Sequence, residues 1–329
     1  MLRLTADASR PASPFSPPTG AGARDTTDRA TPLTVPRPGP VADVHLLSVI
    51  NTESVRFGPG AVVRVLDAGC GDGRLLAYFA QALRIFHPQL RYELYGLDVH
   101  ERPDDDAGAT LQSLSRQVPE VAWTDRVVRI ASEAEWPYPD GFFDVVVSHQ
   151  LGDRLRDHAR CFGQIARCLA RGGFAVLLFP LKHVVMERRV GVPYAHRIAD
   201  YDLLRGFLLL CGRLGIGSAG RKALGMHVPL PEYCARQAED VLRHSRYVSH
   251  RDVLAMARTR GLLPSLRYTR DLYVQQIRRR RAQSSLYEYA RTRSVLIDWL
   301  LVFPLRYVSG VTVLLEKGHP RRARCEDAV

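Results

Sequence analysis

The segment VLDAGCGDGRLL (residues 65–76) constrains this chain more than any other. A short β-branched run, VVRVLDAG (62–69), enters a turn with glycines at 69, 71 and 73, and RLLAYFAQAL (74–83) leaves it with Leu75, Leu76, Phe79 and Leu83 at helical spacing. A strand, a bare turn and a helix make a corner that receives charge. Glycine admits positive φ and close backbone approach, and the helix start offers N–H groups. The spacing separates the ligands. A dinucleotide fingerprint needs G-x-G-x-x-G, but Arg74 stands where its third glycine would fall. A phosphate loop needs Gly-Lys-Ser/Thr, which is absent from the sequence. The remaining pattern, Asp67-x-Gly69-x-Gly71-x-Gly73, suits a ligand carrying a carboxylate and an ammonium.

Around that corner the chain alternates strands and helices. VADVHLLSVI reads as a helix, and YELYGLD (92–98) and RVVRI (126–130) as the second and third strands. WPYPDGFFDVVVSHQ (136–150) is a turn feeding a fourth strand over Phe143 to Val147. A helix over Asp157 to Ala170 sets Ala159, Phe162, Ile165, Ala166 and Leu169 on one face, with Gly172 and Gly173 as its end. FAVLLFP follows as a fifth strand. This rhythm predicts an α/β fold built on a doubly wound parallel sheet.

The rhythm breaks after Pro180. Residues 181–264 read as a largely helical insertion, ending in SHRDVLAMARTRG (249–261) with Ser249 and Asp252 as a capping box and Gly261 as a C-terminal cap. Strand-like alternation returns at LRYTRDLYV (266–274) and GVTVLLEK (310–317), so 265–318 holds the last two strands with a helical segment between them. Residues 1–40 carry eight of the 21 prolines and few large apolar side chains, the composition of a disordered tail. Residues 319–329 form a basic, polar tail.

Composition narrows the setting. The formal charge of +12 leaves two readings open: attraction to an anionic partner, or an arginine-rich solvated surface. The six cysteines form no CxxC pair and no zinc spacing, which predicts a reducing cytoplasm without structural disulfide or metal. The N-terminus lacks the apolar core of a signal peptide. In the apolar stretch 295–315, Asp298, Pro304 and Arg306 argue against a bilayer span and leave a helix lying on a membrane surface open.

Four motifs in register carry a family resemblance over about residues 45–180. DAGCGDG resembles the first motif of class I S-adenosylmethionine-dependent methyltransferases, in the ubiquinone/menaquinone methyltransferase-like branch. LYGLD ends in an acid, WPYPDGFFDVVVSHQ is similar to the family's "LPF-PDG-FD-VV" stretch, and IARCLARGGFAVLLFP to its "R-LKPGG" helix end and fifth strand. The resemblance implies a Rossmann-like sheet of seven strands, the last antiparallel, with the insertion between strands five and six.

It also implies S-adenosyl-L-methionine as cofactor. Gly69, Cys70 and Gly71 would lie against its methionine part, and Asp67 would receive the ammonium. Asp98, with Val99 beside it, would take the ribose hydroxyls, and Ser132 or Glu133 would stand where the family places an aspartate on adenine. Ser148 would close the cofactor side.

Two histidines are candidate bases. His149 lies just past the fourth strand, where ligands collect in open α/β sheets. His196 lies in MERRVGVPYAHR (186–197), where Glu187, Tyr194 and Arg197 with Gln150 suit a polar acceptor. The expected acceptor is a small or medium-sized molecule methylated at oxygen: a sugar, a polyketide or a lipid-linked intermediate. The basic balance favours an anionic or membrane-associated one. A peripheral membrane location and a homodimer stay open. A nucleic-acid substrate is the second reading, carried by Arg278–Arg281 but opposed by the absence of an N/D-P-P-Y/F tetrad and of an RNA-binding module. A non-catalytic cofactor-binding protein is the third, although the glycines and Asp98 are intact.

Overall fold

The computed structural model describes residues 39–100, 107–131, 134–149, 158–187, 189–217, 228–245, 247–291 and 310–318, with 300, 305 and 307. The expected N-terminal tail, apart from Gly39 and Pro40, lies outside these residues. So do the basic tail, most of 295–309, Ser132, Glu133 and Gln150.

A seven-stranded sheet forms the centre. Its strands are β1 (Val62–Ala68), β2 (Arg91–His100), β3 (Val127–Ala131), β4 (Phe143–His149), β5 (Leu169–Phe179), β8 (Leu262–Ser265) and β9 (Val311–Lys317), in the order β3-β2-β1-β4-β5-β9-β8. β1 to β5 pair in parallel, and β9 runs antiparallel to both β5 and β8. The last strand in sequence is thus the reversed one, as the resemblance implies. The remaining strands, β6 (Met186–Glu187) and β7 (Val192–Pro193), form a separate two-stranded hairpin.

Helices α1 (Val41–Glu53), α2 (Arg74–Phe86), α3 (Ala107–Gln117) and α4 (His158–Cys168) flank the sheet; α5 (Tyr201–Arg213), α6 (Leu230–His244) and α7 (His250–Thr259) belong to the insertion, and α8 (Thr269–Arg280) follows β8. The apolar run of β1 is buried from Val65 to Ala68, as a strand covered on both faces requires. α2 turns Leu75, Leu76, Phe79 and Leu83 into the main core, so its 3.6-residue period explains its seat.

α1 is buried on all sides from Asp43 to Glu53. Most of its inward polar groups are therefore matched, Asp43 Oδ1 being the exception. His45 bonds Tyr289 (2.9 Å) and Thr312 (2.8 Å), Ser48 donates to the carbonyls of Val44 and Leu286, and Asn51 donates to that of Tyr287. Residues 286–289 and β9 are thereby tied along α1.

Two sequence expectations are corrected. The alternation at 266–274 is not a strand. β8 is Leu262–Ser265, inside the range expected for the insertion, and α8 starts at Thr269. β8 lies at the sheet edge, where Pro264 costs no ladder bond on the solvent side. α8 buries Thr269, Asp271 and Gln275 together with Leu272, so its inner face lacks an apolar helical period. The glycine pair does not end α4 either. That helix stops at Cys168, and Gly172 (φ 78°) lies within β5, where the register with β4 shifts. A Cβ on Gly173 would meet the Asp144 carbonyl at 2.6 Å. The capping box of Ser249 and Asp252 and the left-handed Gly261 (φ 72°) appear as expected.

Candidate active site

The carboxyl end of β1 is the meeting point. Asp67 lies in register with Gly96 of β2 on one side and Val147 of β4 on the other. Asp98 is therefore two residues further along β2, and Ser148 and His149 are the next residues of β4. The turn after β1 uses left-handed backbone at Gly69 (φ 89°), Gly71 (φ 51°) and Gly73 (φ 77°). These glycines serve different ends. A Cβ at Gly73 would collide with Leu114 of α3 at 2.6 Å, so that position is bare for packing, whereas a Cβ at Gly71 would meet nothing within 4 Å. The backbone at 71 faces open space, as a close-lying ligand requires.

The N–H groups of Gly69 and Cys70 are already engaged, both donating to the Leu97 carbonyl (2.7 and 3.1 Å). This folds the turn back over β2, and Gly96 permits it, since a Cβ there would stand 2.9 Å from Cys70 Sγ. Burial pushes the Cys70 thiol well above its ordinary range, so it remains a neutral packing group. Thr110 of α3 donates to the Gly71 carbonyl (2.9 Å) and accepts from Arg129 of β3 (3.0 Å), bracing the turn from outside. Ser148 donates to the Ala68 carbonyl (2.8 Å) and ties β4 to the end of β1.

Asp67 is the anomaly. It is 1% exposed, and its Oδ1 has no hydrogen-bond partner among the described residues. Burial first, then the neighbouring Asp43, Asp98 and Asp72, push its carboxyl up to about 8. A buried carboxyl surrounded by other acids needs a proton or a cation. Asp98 and Val99 are half-buried at the exit of β2, and Asp98 sits opposite Arg129 of β3.

The first turn of α1 closes this corner. Asp43 is buried, accepts from Arg74 Nε at 3.1 Å, and stands 3.9 Å from His149 Nδ1. Burial raises its pKa against the opposing Arg74 charge. The His149 side chain keeps 21% exposure. Asp43 was not legible in the sequence, because nothing in VADV marks a site; only the packing of α1 against α2 brings it there.

The second expected cluster divides. Glu187 and His196 come together: Nδ1 of His196 lies 3.5 Å from Glu187 Oε2, and its Nε2 lies 3.3 Å from the Lys182 carbonyl. Tyr247 donates to Glu187 (2.9 Å) and sets its ring edge-on to His196. With a side chain only 1% exposed and both nitrogens turned to protein oxygens, His196 faces inward, and burial lowers its pKa. This geometry fastens the β6–β7 hairpin to the end of β5. Tyr194 and Arg197 are exposed instead and stack on each other, the guanidinium 4.8 Å from the ring centre. Among the described residues no group of three or more His, Cys, Asp or Glu is placed to hold a metal, and no helix is long and apolar enough to cross a membrane.

A three-layered, Rossmann-like sheet with one reversed strand and a glycine turn at the end of β1 defines the class I methyltransferase fold. A family model described as a methyltransferase domain matches residues 23–264, and the chain belongs to that family. No curated protein matches it. Among solved structures it is similar to the YcgJ protein of Bacillus subtilis, with 15% identity over 85% of this chain and 99% of that one and a TM-score of 0.41. It is also similar to a geranyl diphosphate C-methyltransferase of Streptomyces coelicolor A3(2), with 15% identity over 84% and 77% and a TM-score of 0.43. An S-adenosylmethionine-dependent methyltransferase of Mesorhizobium loti shares 16% identity over 80% and 94%, with a TM-score of 0.42.

Proposed function

We propose that this protein transfers a methyl group from S-adenosylmethionine to the oxygen of a small or medium-sized acceptor, in the manner of the ubiquinone/menaquinone methyltransferase-like branch. One observation carries the reading: a wholly buried, unpartnered carboxylate oxygen on Asp67, beneath a backbone left open at Gly71. The residues present fit the cofactor. Asp67 receives the methionine ammonium, Gly69 to Gly71 lie against the amino-acid part, and Asp98 accepts from both ribose hydroxyls, which needs a carboxylate with two free oxygens. Val99 borders the adenine. When bound, S-adenosylmethionine supplies an activated sulfonium methyl group.

The protein's own task is alignment and proton removal. His149 takes the proton of the acceptor hydroxyl at Nε2, while Nδ1 is turned toward Asp43, which orients the ring and stabilises the imidazolium. The insertion beyond β5 covers the acceptor. His196 holds the hairpin that carries Tyr194 and Arg197, and those two exposed groups meet the acceptor's polar or anionic end.

A thermal-shift panel tests the cofactor assignment. S-adenosylmethionine and S-adenosylhomocysteine are expected to raise the melting temperature and NAD to leave it unchanged. His149→Ala is expected to lower turnover about 10²- to 10⁴-fold and to keep cofactor affinity within about twofold. A parallel loss of both would make His149 structural.

A further inference from the structure

The outward face of α5 has a pattern its own fold does not use. Leu204, Leu208 and Cys211 point into the insertion's small core against α6. On the adjacent flank, about 100° around the helix, Leu203, Leu210 and Leu214 are 64%, 56% and 69% exposed, and Phe207 is half-buried at the border, packed in part against that same core. At 100° per residue these four fall within about 60° of arc. Their spacing of four, three and four residues is that of a coiled-coil seam. Gly206 borders the seam, and a Cβ there would meet nothing within 4 Å, so another backbone can approach closely.

The charges beside the seam are self-complementary. Asp202 and Arg213 are both exposed and lie on the same flank, one in the first turn and the other in the last. An antiparallel pairing centred between Leu208 and Leu209 sets Leu203 against the partner's Leu214 and Phe207 against the partner's Leu210. It also brings Arg213 beside the partner's Asp202, twice by symmetry, and aligns the helix dipoles favourably. An anionic bilayer would be met better by a seam flanked only by bases; Asp202 speaks for a protein partner.

We infer that α5 is the self-association surface of this protein, pairing antiparallel with α5 of a second copy through Leu203, Phe207, Leu210 and Leu214. The inference is independent of the methyl-transfer reading. An interface of one helix pair is small, so the dimer forms in the micromolar range.

Sedimentation equilibrium on the full chain, at loadings from about 1 to about 100 µM, reads this directly. The weight-average mass is expected to rise toward twice the chain mass. Leu210→Glu, at a solvent-facing position, is expected to weaken association at least about tenfold with an unchanged circular-dichroism spectrum. Asp202→Arg and Arg213→Asp are each expected to weaken it about threefold, and the double reversal to restore it. A wild-type monomer throughout, undiminished association of Leu210→Glu, or no restoration by the double reversal would overturn the pairing. Co-sedimentation of a monomeric chain with phosphatidylglycerol vesicles, abolished by Leu210→Glu, would overturn it as well and assign the face to lipid.

Discussion

Two buried carboxyl groups, Asp67 and Glu53, show what burial does to an acid whose partners the fold supplies and to one whose partners it does not. Glu53 ends α1 and is surrounded by donors: Tyr268, Arg267 and Arg56 bond to it, and Arg56 also reaches Glu316 at 2.8 Å. Burial alone would raise its pKa, yet the Tyr268 hydrogen bond and the Arg267 and Arg56 charges hold it below the ordinary range. Asp67 is equally hidden but faces three other acids and leaves an oxygen unmatched. The fully matched buried charge of Glu53 fixes the end of α1 to Arg267, Tyr268 and, through Arg56, to β9. An unmatched carboxyl keeps its proton instead, until a cation or a higher pH draws it off.

Breaking the matched site has the largest effect. Glu53→Ala strands Arg56 and Arg267 beside buried surface and removes the partner of the Tyr268 hydroxyl. A loss of about 3–5 kcal/mol is expected, read as a lower urea midpoint. At the cofactor corner, Asp98→Ala is expected to remove most of the ligand-induced stabilisation, which is about 2.7 kcal/mol for wild type at a hundredfold excess over Kd. Wild-type-like stabilisation of that variant would remove Asp98 from the ribose assignment.

The comparison sharpens with pH, because the two groups act in opposite directions. Glu53 has a lowered pKa in the fold, so its contribution is present above the unfolded glutamate pKa and is lost as pH falls. Asp67 has a raised pKa, so the folded protein holds a proton that the unfolded chain has released. Its contribution is present in acid and is lost as pH rises from the unfolded aspartate pKa toward about 8. Urea midpoints across that window are expected to separate the two: Asp67→Asn flattens the alkaline decline, and Glu53→Gln flattens the acid limb.

The smallest expected effect lies at the brace. Arg74→Ala frees Asp43 from its half-exposed partner and is expected to cost about 1 kcal/mol or less in stability. Its turnover against pH is expected to shift while cofactor affinity stays near wild type, because Asp43 faces His149.

What could be read in advance followed the range of the physics involved. The glycine turn, strands one to four, the fourth-strand turn and the capping box are set by neighbours in sequence, and they stand where their residues predict; strand five begins five residues earlier than its apolar run, at Leu169 rather than Phe174. β8 and α8 escaped because Pro264 on an edge strand and buried Thr269, Asp271 and Gln275 in a helix blur both periodicities. Asp43 and Glu53 were invisible because their meaning depends on partners distant in the chain, Arg74 at 31 residues for one and Arg267 and Tyr268 at 214 and 215 residues for the other. His196 was visible as a histidine, but its inward turn toward Glu187 and Lys182 is a tertiary fact.

The most direct measurement is calorimetric titration of S-adenosylmethionine into wild type and Asp67→Asn, in buffers of different ionisation enthalpy at pH 7. Wild type is expected to bind with release of close to one proton, with affinity rising as pH approaches 8. Asp67→Asn is expected to bind at least about tenfold more weakly and to release none. Binding by wild type without proton release, at an affinity the variant matches, would contradict the claim that Asp67 waits for the cofactor's ammonium.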